Sequence, residues 1–222
     1  RFYNCGVAEA NMTGVASGLA KMGFIPITYT ITPFNTLRNL EQIKIDIAYP
    51  NLPVIIVGTG AGLSYGNLGV THHSMEDIAV MRALPNINVV CPGDPVEVKT
   101  LLSKSIHYNK PIYFRIGKKG ERTVHDSNPS LEIGKIFEIY AGLNAAIISV
   151  GNVLPICLDI YNSISKVKKD IGLYSMHTVK PLDEKALTKI FRKNEFIFLV
   201  EEHSEIGGAR SAILEWINKN KK

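Results

Sequence analysis

Short apolar runs of about five residues alternate with longer stretches of helical spacing from Asn4 to the end of the chain, and this alternation constrains the fold more than any other feature. A buried strand needs only a short apolar run, whereas an amphipathic helix needs apolar residues every three or four positions. The two in strict succession give an α/β protein with mostly parallel sheets covered by helices. In the first half the pattern predicts a helix over 9–22, a strand over 25–29, a helix over 34–48 and a strand over 54–58. A short helix from 75, a strand over 87–91, a helix from 94 and a strand over 112–115 follow.

Residues 117–130, GKKGERTVHDSNPS, break the alternation. They collect Gly, Lys, Ser, Asn, Asp and Pro without apolar periodicity, which is the composition of a connector. We therefore expect two three-layer domains, 1–118 and 131–222, joined by a linker over 119–130. In the second, strands are expected over 144–149, 170–175 and 196–201, with helices over 153–167, 183–192 and 207–219.

Composition narrows the function classes. The 222 residues carry 25 Lys and Arg against 20 Asp and Glu, and 11 of those 25 bases face only 7 acids within residues 1–120. This excess lacks a basic stripe with interleaved aromatics, so an anionic small substrate is expected rather than nucleic acid. No apolar run reaches the length of a membrane span. Cys5, Cys91 and Cys157 are an odd, widely spaced set that suits neither a disulfide framework nor a zinc site, and the expected setting is a reducing cytoplasm. The chain opens on Arg1 and enters patterned sequence at once, which reads as a cut-in start.

One long irregular segment stands inside a domain: 59–74, TGAGLSYGNLGVTHHS. Long loops in compact domains are usually functional. This one follows the carboxyl end of a strand, where open parallel sheets place their ligands. It has neither GxGxxG nor GxxxxGK[ST], so its glycines name no nucleotide. His72 and His73 are adjacent and point apart, which argues against joint metal ligation; one is expected to be functional and the other a surface histidine. Glu9, Glu76 and Asp77 stand at helix starts, where an acid can simply complement the dipole. Phe34 after Pro33 can pack on the core, and Arg115, Lys118 and Lys119 can hold an anion or face solvent.

Taken together these residues carry a resemblance. RFYNCGVAEANMTGVASGLAKMGFIPITYT, LRNLEQI, GLSYGNLGVTHHSMEDIAVMRALPNINVVCPGDPVE and KPIYFRIGK, followed by SLEIGK, VKPLD and VEEHSEIGG, resemble the C-terminal part of transketolases, a pyrimidine-binding domain followed by a C-terminal domain. The resemblance implies that Glu9 is the catalytic glutamate that exchanges a proton with the aminopyrimidine of thiamine diphosphate, so that the ring can in turn deprotonate the thiazolium carbon. It implies that Phe34 stacks on that ring and that His72 faces the sugar substrate. Arg38 and Gln42 fall on positions of structural or subunit-contact character, and Glu76 on an acid of interface or catalytic role.

Two departures bear on the substrate. GNLG at 66–69 replaces an acidic GEDG-type turn, which removes an aspartate that contacts sugar hydroxyls. Where the family places a phosphate-binding arginine, the fits are Lys118 and, three residues earlier, Arg115; a lysine attracts phosphate without the bidentate fork. A third departure concerns the cofactor. The GDG and downstream Asn that hold Mg2+ and the diphosphate have no counterpart, since Gly93-Asp94-Pro95 runs into a helix.

The resemblance thus implies a split transketolase subunit that works with a diphosphate-binding N-terminal partner, in a dimer of such pairs, on a sugar phosphate or modified sugar. The partner would hold most of the cofactor and its Mg2+. Deoxyxylulose-phosphate synthase, a 2-oxoacid dehydrogenase β subunit and a non-catalytic partner of a thiamine enzyme are the alternatives. It further implies that the natural chain has about one more strand and helix before Arg1 and a few elements beyond Lys222.

Overall fold

The strand Ile55–Thr59 (β2) is buried along its whole length, as a central parallel strand covered on both faces must be. In the computed structural model, which describes residues 1–127, 129–167 and 170–220, it lies in a five-stranded sheet of order β1-β2-β4-β3-β8. The neighbours are β1 (Ile27–Ile31), β4 (Ile112–Ile116), β3 (Asn88–Val90) and β8 (Thr178–Lys180). A second sheet, of order β5-β7-β6-β9, is formed by β5 (Phe137–Tyr140), β6 (Ala145–Val150), β7 (Ile171–Ser175) and β9 (Phe196–Glu201). Strands β1 to β4 run parallel, as do β6, β7 and β9. The expected α/β class with mostly parallel sheets is therefore the observed one.

Helices start where the local chemistry sets them. Helix α4 (Pro95–Ile106) has Asp94 as N-cap, accepting from the Glu97 amide, with Pro95 in its first turn. Helix α6 (Glu184–Lys193) is capped by Asp183, which accepts from the Ala186 amide. Helices α1 (Glu9–Lys21), α3 (Asp77–Ala83), α5 (Leu154–Ser165) and α7 (Ala209–Asn220) fall close to their predicted spans.

Three findings depart from the pattern. The helix predicted over 34–48 starts only at Leu40, with a short turn α2 (Leu40–Gln42) that continues as a π-helix over Ile43–Ala48. Residues 32–39 form turns because their side chains are engaged elsewhere. Thr32 Oγ1 donates to the Thr59 carbonyl and Asn35 Nδ2 to that of Val57, which pins the segment to β2.

Strand β5 has no counterpart in the predicted pattern, since its exposure alternates and it lies at a sheet edge. Strand β8 has none either, and it crosses from the second half to the first. It pairs antiparallel with β3. One apolar core accordingly runs through both halves, with Ile43, Ile56 and Val89 from the first and Ile148, Met176 and Leu187 from the second. The two units are not independent bodies.

Candidate active site

Parallel pairing brings the ends of three strands to one place. Ile31 of β1 is in register with Thr59 of β2, and Thr59 with Ile116 of β4. The turn bearing Phe34, the glycine loop and the segment bearing Lys118 all leave the sheet from neighbouring carboxyl ends. Helix α1 precedes β1 and packs on it, which returns its first residue, Glu9, to the same end.

At the head of α1 the Glu9 side chain is only 9% exposed, and its Oε2 accepts from Arg38 Nη1 at 2.9 Å. The Arg38 guanidinium also lies over the Phe34 ring, 4.1 Å from its centroid. Asn39 Nδ2 donates to Thr13 Oγ1 at 2.6 Å, and Thr13 Oγ1 to the Glu9 carbonyl at 3.0 Å, so the first turn of α1 is tied to the segment before α2. Phe34 meets the His72 ring edge to face at 5.4 Å, and Tyr65 meets the same imidazole from 6.2 Å. Glu9, Phe34 and His72, far apart in sequence, thus line one surface, with Arg38 between the first two.

The two histidines have different partners. His73 Nε2 donates to the Gly66 carbonyl at 3.1 Å and so closes the loop on itself. His72 turns to Phe34, with Nδ1 at 2.9 Å from Thr71 Oγ1, which leaves Nε2 for another partner. The base of the loop is held by a reciprocal pair: Gly62 N–H to the Ser74 carbonyl at 3.1 Å and Ser74 N–H to the Gly62 carbonyl at 2.9 Å.

Arg115 requires a correction. As a residue for substrate phosphate it would have to meet solvent, yet it is 1% exposed, with its Nε and Nη2 engaged within the chain. Its Nε donates to Asp77 Oδ2 at 2.7 Å, and its Nη2 donates to the carbonyls of Ser74 and Glu202. Tyr113 donates to the same Asp77 oxygen, and burial together with the Asp77 charge holds the Tyr113 hydroxyl well above its ordinary pKa. Asp77 is therefore part of a buried ion pair, beyond any complement to the helix dipole. An arginine inside the otherwise apolar strand IYFRI was the signal that a buried carboxylate must face it.

Lys118 and Lys119 are exposed just past β4. Glu76 is exposed, and its Oε2 accepts from the Met75 amide. Gln42 is half-buried at the end of α2, four residues beyond Arg38. Two carboxylates that the sequence did not single out belong to this sheet end. Glu202, from the second half, reaches Gly62 closely enough that a Cβ there would clash with its carboxylate. Glu121 packs against Gly117, and burial, with Glu202 nearby, pushes its carboxyl up to about 7 despite an opposing backbone hydrogen bond.

Residues 1–122 match the family model of the transketolase pyrimidine-binding domain, and residues 134–222 that of the transketolase C-terminal domain. An apulose-4-phosphate transketolase subunit of Phocaeicola vulgatus is 32% identical over 221 residues, covering 99% of this chain and 71% of that protein. A 1-deoxy-D-xylulose-5-phosphate synthase of Natranaerobius thermophilus is also 32% identical over 99% of this chain, which spans only 35% of it. A solved split-gene transketolase, described as an inactive β4 tetramer, superposes with a TM-score of 0.90 at 32% identity, over 100% of this chain and 72% of that one. With both family domains matched in order along the whole fold, the chain belongs to the transketolase family.

Proposed function

We propose that the chain is the C-terminal subunit of a split transketolase that moves a two-carbon ketol unit between sugar phosphates or modified sugars. The observation that carries this is the joint surface of Glu9, Phe34 and His72 at the carboxyl ends of β1 and β2. Fit to thiamine diphosphate is supported by the group already lying there, since the Arg38 guanidinium is flat, donates to Glu9 and lies over the Phe34 ring. A flat ring with an N–H meets the same two contacts.

When bound, thiamine diphosphate supplies the carbon nucleophile that takes up the ketol unit. Glu9, its side chain 9% exposed, holds or yields a proton at its carboxylate oxygen against the ring nitrogen. Phe34 fixes the plane of the ring. His72 holds or returns a proton at Nε2 toward a substrate hydroxyl, while Thr71 fixes its other nitrogen. Lys118 attracts the substrate phosphate as a point charge.

Among the described residues no three His, Cys, Asp or Glu side chains come together as a metal site. We assign the Mg2+ and the diphosphate to a partner subunit, an assignment supported by the split-gene relative described as an inactive tetramer of β chains. We also place the protein in the cytoplasm; its three free cysteines, two of them buried, suit a reducing compartment. None of the helices described is long and apolar enough to cross a membrane.

The test combines this chain with a diphosphate-domain partner, thiamine diphosphate, Mg2+ and a ketose phosphate donor. Thiamine-dependent ketol transfer is expected, with Glu9→Gln lowering kcat at least about a hundredfold. Absence of thiamine-dependent donor cleavage overturns the reading. The synthase relatives support a second reading, in which pyruvate is the donor and carbon dioxide is released; product analysis with pyruvate separates the two.

A further inference from the structure

The proposed thiamine site contains an element that the family resemblance left as structural. Arg38 lies in the turns before α2, and its side chain is 47% exposed while the Glu9 side chain is 9% exposed. The arginine therefore covers the outer side of the Glu9 carboxylate, where any ligand must arrive. Its guanidinium donates from Nη1 to Glu9 Oε2 at 2.9 Å and lies 4.1 Å from the centroid of Phe34. These match the two contacts read for the ring site: a hydrogen bond to Glu9 and a flat group over the face of Phe34.

A guanidinium and an aminopyrimidine share the features that the contacts read. Both are planar, both present N–H donors at an edge, and both offer a flat face to an aromatic ring. Glu9 Oε2 and the part of the Phe34 ring that the Arg38 guanidinium covers cannot serve two such groups at once. We propose that Arg38 is an internal occupant of the ring site, paired with Glu9 and stacked on Phe34 in the free subunit and displaced when the aminopyrimidine of thiamine diphosphate enters. This inference rests on the reading of Glu9 and Phe34 as the ring site.

The device has a physical purpose. A carboxylate as covered as Glu9 is costly without a partner, and Arg38 supplies one while the ligand is away. Its own side chain is about half exposed and returns to water when it leaves, so it can yield its place once the incoming ring takes over the contact with Glu9. Arg38 thus stabilises the free subunit and opposes cofactor entry with the same contacts. A merely structural arginine would do the first without the second.

Two measurements on the complex of this chain with its diphosphate-domain partner decide the matter. Calorimetric titration of thiamine diphosphate with saturating Mg2+ is run on wild type, Arg38→Ala and Arg38→Lys. Arg38→Ala is expected to bind about fivefold more tightly, which at 1.4 kcal/mol per tenfold is about 1 kcal/mol. Arg38→Lys, which can pair with Glu9 but cannot lie flat on Phe34, is expected between the two.

Thermal unfolding of the same complexes is expected to show Arg38→Ala melting below wild type without cofactor and together with it at saturation, because a displaced side chain contributes nothing to the loaded state. Equal or weaker binding by Arg38→Ala, or a melting deficit that persists at saturation, overturns the proposal and makes Arg38 a fixed brace for Glu9. Failure of the wild-type complex to bind thiamine diphosphate at all overturns the underlying site assignment instead. Arg38→Gln serves as a further variant should Arg38→Ala not assemble.

Discussion

Arg115 Nε donates to Asp77 Oδ2 across 2.7 Å, and both side chains are 1% exposed. The same arginine reaches from β4 to the carbonyl of Ser74, at the base of the glycine loop, and to that of Glu202, after β9. A single buried cation thereby ties the loop that carries His72 to both halves of the chain.

Breaking that pair on one side leaves a charge uncompensated in a dry place. Arg115→Met is expected to cost about 3–5 kcal/mol of stability in urea unfolding. It should also speed amide exchange at Gly62 and Ser74, whose mutual hydrogen bonds lie next to the lost contact. Unchanged exchange at those two amides would show that the loop is held without Arg115.

Gly62 sits at φ +59°, and an added Cβ would clash with the Glu202 carboxylate. Gly62→Ala is expected to cost about 1–2 kcal/mol for the left-handed backbone alone, plus the displacement of Glu202. In a Glu202→Ala background only the backbone part should remain. A double-mutant cycle measured by thermal unfolding is therefore expected to show coupling of at least about 0.5 kcal/mol; strict additivity would mean that Glu202 moves aside freely.

His125 anchors the connector between the halves. Its Nε2 lies 3.0 Å from Glu97 Oε1, while Asp94 Oδ2 accepts from the amides of Val124 and His125. Burial disfavours the charged imidazole, but the Glu97 hydrogen bond and charge outweigh it and hold the His125 pKa above its ordinary 6.5. The native state then binds this proton more tightly than the unfolded chain. Its contribution is complete below about pH 6.5 and is lost as pH rises through the raised native value. His177, fully buried with its pKa lowered chiefly by burial, acts in the opposite sense: its neutral form favours folding above about pH 6.5, and that gain is lost as pH falls. His125→Gln should cost about 1–3 kcal/mol at about pH 5.5 and clearly less at about pH 8. Urea titrations at the two pH values check this, and an equal cost at both would rule out a charged pair.

Much of the architecture was legible in the chain itself. The apolar alternation implied the α/β class because strand and helix burial are periodic properties of consecutive residues, and the helix starts predicted at 94 and 183 fall on Asp94 and Asp183, whose capping hydrogen bonds span only three positions. Tertiary structure decided what depends on distant partners. It sent β8 across to β3, held residues 32–39 out of a helix through Thr32 and Asn35, buried Arg115 against Asp77, and laid Arg38 between Glu9 and Phe34. The Arg38–Glu9 and Arg115–Asp77 pairs join residues 29 and 38 positions apart, and β8 joins opposite halves. A charged or polar side chain does not disclose in sequence which partner it will meet; the sheet does, by bringing the ends of neighbouring strands together and excluding water between them.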